Sequence, residues 1–139
     1  HKGKDCESTT PGVDWSKIKH FKPTDNWGDI EKVNPALIYA LEAFRQLVNC
    51  PIILNNAYRE GDKGEHGNGN AADIVVVGLH VVDQFLAAEK SGLFCGLGIY
   101  PFWNRPGIHV DLGGRGRRWA RNSQGKYVAL DWQFLRGLR

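Results

Sequence analysis

Leu37, Ile38, Leu41, Phe44, Leu47 and Val48 recur at spacings of three and four, the period of a single apolar face on an α-helix. Asn34 and Pro35 stand just before them as cap and first helical residue, and Pro51 blocks continuation. The pattern predicts a helix of about 15 residues ending near Asn49. IILNNAY (52–58) is short, rich in β-formers and bounded by turn residues, and so predicts a strand that delivers Tyr58 and Arg59 at its end. AADIVVV (71–77) is a continuous apolar run, suited to a strand covered on both faces. VVDQFLAAEKSG has helical spacing and stops at Gly92. Leu97 to Tyr100, Gly107 to Leu112 and Tyr127 to Leu130 read as further strands, the first two joined by the turn-forming PFWNRPG. Between Val13 and Val33 no period is sustained, so this stretch is expected to be irregular, with Trp15, Phe21 and Trp27 on the rim of the core. A helix followed by strands with one helix among them predicts an α+β fold with a small, mainly antiparallel sheet.

At 139 residues the chain suits one domain, expected over 19–139 behind an irregular segment 1–18. No apolar run is long enough for a membrane span, and the first dozen residues lack the apolar core of an export signal. The chain contains no methionine, so its native start is expected to be missing, with any signal or anchor removed alongside it. Cys6, Cys50 and Cys95 are odd in number and form no CxxC pair. That leaves room for one disulfide at most, and Cys50 and Cys95 are expected to be buried free thiols. The net charge of +3 conceals an asymmetry: residues 115–139 carry seven cations against Asp131 alone. Such an end suits an anionic polymer, a wall polymer before nucleic acid, although a merely solubilising face is the commoner use of such charge.

Chemistry enters with GEHGNGNAAD (64–73). Small residues around His66 let the chain fold tightly and return the ring toward the next strand. Asp73 stands among Ala71, Ala72, Ile74, Val75 and Val76, where a carboxylate is costly to bury without a cation or strong donors. In GIHVDL, strand alternation puts His109 and Asp111 on one face, away from Ile108 and Val110. Two imidazoles and a carboxylate are a ligand set for a hydrolytic metal. Taken singly each has a plainer explanation: a hydrogen-bonded core histidine, or a turn aspartate.

Together, His66, Gly69, Ala71 and Asp73 form an H-x-x-G-x-A-x-D run that resembles the first metal motif of the zinc D-Ala-D-Ala carboxypeptidases of peptidase family M15. That zinc fold is shared with phage endolysin peptidases and, more distantly, hedgehog signalling domains. NNAYRE is similar to the family's S-G-Y-R strand end, GLGIYPFWNRPGIHVDLG to its closing segment, and ALIYALEAFRQLVNCP to the helix before the Y-R element. The likeness runs over about residues 19–119. It implies helices packed on one side of the sheet, one Zn2+ held by His66, Asp73 and His109, and Arg59 on the substrate carbonyl. Tyr100 and Trp103 lie on the approach to His109 as a substrate wall, or equally as packing aromatics. The implied activity is hydrolysis of peptidoglycan stem peptides, by a periplasmic, extracellular or phage-associated enzyme.

Three departures from the family pattern bear on the general base: Gly64 replaces a serine, Asn56 a serine or threonine, and Pro106 stands where many members carry the catalytic acid. Asp111, beside His109, is the leading substitute unless it orients that imidazole instead, and Glu65 is the second. Arg59 has a plainer alternative, an ion pair with Glu60 or Asp62. His80 has no partner in the pattern and is expected on a solvent-facing helix surface. A rival reading is a silent wall-binding module that keeps its metal for stability. Another, a cysteine peptidase using Cys50 or Cys95 with His66 or His109, is opposed by the apolar surroundings of both thiols, which would raise their pKa.

Overall fold

The computed structural model describes residues 12–139. Helix α1 spans Pro35–Val48, with the Asn34 side chain accepting from the Ala36 N–H and Asn49 closing the helix in a left-handed conformation at φ 53°. Leu37, Ile38, Leu41 and Phe44 are buried, whereas Leu47 is 64% exposed. At about 100° per residue Leu47 falls well off the line of Leu41, Phe44 and Val48, so it does not belong to the predicted stripe. Strands β1 (Ile52–Asn56) and β2 (Ala71–Val76) follow. Helix α2 (Val81–Ser91) comes next and ends on left-handed Gly92. Strands β3 (Gly96–Tyr100) and β4 (Gly107–Asp111) precede β5 (Arg118–Arg121), β6 (Tyr127–Ala129) and α3 (Trp132–Gly137). Neither β5 nor α3 is among the predicted elements.

The fold is α+β, with a six-stranded mixed sheet in the order β1-β2-β4-β3-β5-β6. Four adjacent pairings are antiparallel, and β3 with β5 is parallel. Because strand side chains alternate, each strand serves both faces. Ile74 and Val76 of β2, Leu97 and Ile99 of β3, Ile108 and Val110 of β4 and Ala120 of β5 enter one core. Leu37, Ile38, Leu41 and Phe44 of α1 and Val82, Phe85 and Ala88 of α2 complete it. The alternate positions bring Asp73, Gly98, His109 and Trp119 into register on the other face.

The stretch before α1 is irregular apart from two single turns of 3-10 helix, Trp15–Lys17 and Ile30–Lys32, capped by Asp14 and Asp29. Trp27, 1% exposed, lies in the core rather than on its rim, with its indole N–H donating to the Lys22 carbonyl. Val13 and Ile18 are core residues too, so the packed domain begins ahead of residue 19. Glu42 of α1 is buried and holds this stretch in place: it accepts from the His20 N–H at 2.9 Å, contacts His20 Nδ1 at 2.7 Å and accepts from Gln46 at 2.8 Å.

Cys50 is half-buried and Cys95 exposed, both as free thiols, which corrects the expectation that both are buried. Cys95 stands one residue ahead of β3. Cys6 and its pairing lie outside the described residues. His80 is exposed, as expected, but as the cap of α2: its ring nitrogen accepts from the Val82 N–H. No helix among the described residues is long and apolar enough to cross a membrane.

Candidate metal centre

A tight loop carries His66 from β1 to β2. Gly69 sits at φ +75° with its Cα against the Lys32 carbonyl, where any Cβ would collide. Arg59 N–H donates to the His66 carbonyl at 3.1 Å, closing the loop at its base. His66 Nδ1 lies 2.7 Å from the Ala57 carbonyl, so the proton belongs on Nδ1 and Nε2 is left as the free donor atom.

That Nε2 points at Asp73 Oδ1, 3.3 Å away, and His109 Nδ1 reaches the same oxygen at 3.3 Å. All three residues are buried. Asp73 Oδ1 is itself buried and accepts no hydrogen bond among the described residues, a costly state for a carboxylate. Its other oxygen is occupied, accepting from Asn56 Nδ2 at 3.0 Å. Burial works to raise the Asp73 carboxyl, but His109 and His66 beside it hold it well below the usual carboxylate range. His66, Asp73 and His109 therefore form a group that can hold a metal ion, with one donor atom from each lying within 4.8 Å of the others. Tetrahedral coordination with bonds of about 2.0–2.1 Å places donor atoms about 3.3–3.4 Å apart, the spacing Asp73 Oδ1 keeps to both imidazoles. The orphaned oxygen and the ligand chemistry both fit a cation.

Asp111 lies on the far nitrogen of His109. Its Oδ2 is 2.8 Å from His109 Nε2, and its Oδ1 accepts from the Gly113 N–H at 2.9 Å. Both oxygens are engaged, which suits orienting the ring and fixing its tautomer. Burial tends to raise the Asp111 carboxyl, yet His109 and the Gly113 N–H hold it low; burial tends to lower the His109 imidazole, yet Asp111 and Asp73 hold it high. Two glycines make this possible. Gly96 pairs with Asp111 and Gly98 with His109 across β3 and β4; a Cβ on Gly96 would collide with the Asp111 carboxylate, and one on Gly98 would lie 2.5 Å from the Trp119 ring. Trp119 packs on His109 at 4.7 Å between ring centres.

Two chambers flank the group and share Arg59, Tyr100 and Tyr127. One, about 540 Å³, is lined by His66, His109, Glu65 and Asp111; the other, about 490 Å³, by Asp73, Asn56 and Trp103. Arg59 is paired with Asp62 at 3.5 Å and half-exposed, so the plainer ion pair exists at the cleft itself, with Asp62 and not Glu60. Tyr100 stacks on Trp103 at 4.3 Å and accepts from the Trp119 indole at 3.1 Å. Burial pushes its phenol up to about 12. Glu65 accepts from Asn70 and Asn68 through Oε1, while its Oε2 accepts no hydrogen bond among the described residues. Neither Cys50 nor Cys95 lines either chamber.

Asn56 and Trp119 also belong to this site, Trp119 without having been singled out in the sequence and Asn56 noted there only as a departure from the family's serine or threonine. A bulge between Leu54 and Asn56 puts Asn56 opposite Asp73, and strand periodicity alone would have placed Asn55 there. No protein-family model, curated protein or solved structure matches the chain.

Proposed function

We propose that the protein is a zinc-dependent peptidase that hydrolyses peptidoglycan stem peptides, either as a D-Ala-D-Ala carboxypeptidase or as a murein endopeptidase. The observation that carries this is the unbonded Asp73 Oδ1 between two buried imidazoles, opening on a two-chambered cleft. The likeness of H-x-x-G-x-A-x-D and H-V-D to the zinc carboxypeptidases supports it.

His66, Asp73 and His109 would hold Zn2+, which when bound supplies Lewis-acid polarisation and a water of lowered pKa. Arg59, held only loosely by Asp62, is placed to take the peptide carbonyl and stabilise negative charge on its oxygen. Tyr100 stays a neutral phenol at physiological pH and bounds both halves of the cleft. Glu65 becomes the better proton carrier, because it keeps an uncommitted oxygen where Asp111 has none.

The alternative, a silent metal-containing wall-binding module, is favoured by Pro106 standing where many family members carry an acid and by Glu65 having two asparagines on one of its oxygens. Incubation of the zinc-loaded protein with purified stem peptides separates the two. New amino groups that disappear on chelation are expected; binding without release of amines would leave the module.

A further inference from the structure

Part of the basic C-terminal end is built into the sheet, in β5 and β6. Arg118 is spent on Glu89 and Arg139 on Asp83, while Arg117 and Arg121 face the cleft. In the chamber on the Asp73 side, Arg121 and Arg105 stand with Asn104 beside the Tyr100–Trp103 stack. Arg121 Nε donates to the Gly125 carbonyl and its guanidinium lies 5.1 Å over Tyr127; it has no carboxylate partner among the described residues, and Arg105 has no hydrogen-bond or ion-pair partner there at all. Among the described residues the only acid lining this chamber is Asp73, whose Oδ2 accepts from Asn56 and whose Oδ1 faces the imidazoles of His66 and His109. Two cations beside an aromatic wall, neither with a carboxylate partner among the described residues, are matched by a carboxylate on the ligand.

We propose that this chamber is a carboxylate-binding subsite, in which Arg105 and Arg121 receive a carboxylate of the peptide lying across the metal group. The assignment rests on the cleft being a peptide site. A stem peptide offers two sources, its C-terminal carboxylate and the α-carboxylate of its γ-linked D-glutamate.

The test uses the pentapeptide L-Ala-γ-D-Glu-L-Lys-D-Ala-D-Ala, its C-terminal amide and its D-isoglutamine form. Each is titrated into chelator-stripped protein, and each is incubated with zinc-loaded protein to follow cleavage. Amidation at one of the two positions is expected to weaken binding about tenfold or more, and to make no difference in the Arg105→Gln, Arg121→Gln double variant. The position that matters identifies the source. Arg105→Gln alone serves if loss of the Arg121 bond to Gly125 disturbs the fold. Dissociation constants within twofold for all three peptides, undetectable binding of the acid form, or wild-type affinity in the variants would overturn the subsite. Carboxylate-dependent binding without cleavage would defeat the peptidase reading and leave the subsite; cleavage indifferent to amidation would do the reverse.

Discussion

Asn56 decides which oxygen Asp73 offers. By donating to Oδ2 at 3.0 Å it leaves Oδ1 alone between the imidazoles, so the carboxylate can meet a cation through one atom. Removing an outer partner of this kind costs about 10–100-fold in metal affinity. Asn56→Leu, close in volume but without the donor, is expected to weaken zinc binding within that range while melting as the wild type does in chelator. Competition against a chromophoric chelator measures the first and thermal unfolding the second. His66, Asp73 and His109 were legible in the sequence because polar groups stood out in apolar strands and a spaced motif joined them. Asn56 stood out only as a departure from the family pattern; its role as donor to Asp73 and the division of labour between the two nitrogens of His109 were not legible, since a bulge and a choice of ring nitrogen leave no trace in spacing.

At the scale of elements, α1 and α2 were readable from apolar period and caps, and β2 from its unbroken hydrophobic run. Strand β5 was hidden because Arg118, Trp119 and Arg121 surround one buried residue, Ala120, so it looks like part of a basic tail. Helix α3 is six residues long and buries only Leu135, too little to show a period. The join between α1 and the irregular stretch before it is sensitive to acid. Burial works to raise the Glu42 carboxyl, but Gln46 and the ring Nδ1 and backbone N–H of His20 outweigh it and hold the group below its ordinary value. A carboxyl depressed in the folded state adds stability that is fully present above its unfolded pKa and lost as pH falls through the folded one. Urea unfolding of wild type and Glu42→Gln across pH should therefore differ most near neutrality, and the gap should close below the ordinary carboxylate range.

For the molecule as a whole, a ligand that binds only the folded chain raises its stability by mass action, about 2.7 kcal/mol at a hundred times the dissociation constant. His66, Asp73 and His109 come from a loop and two paired strands, so they converge only on folding. Zinc is accordingly expected to raise the melting temperature and excess chelator to reverse the rise; a melting curve indifferent to both would argue against the centre. The two faces of the sheet carry a last consequence. Along β4, Ile108 and Val110 belong to the interior while His109 and Asp111 belong to the cleft, so alternate positions of one short strand serve the packing and the candidate site separately.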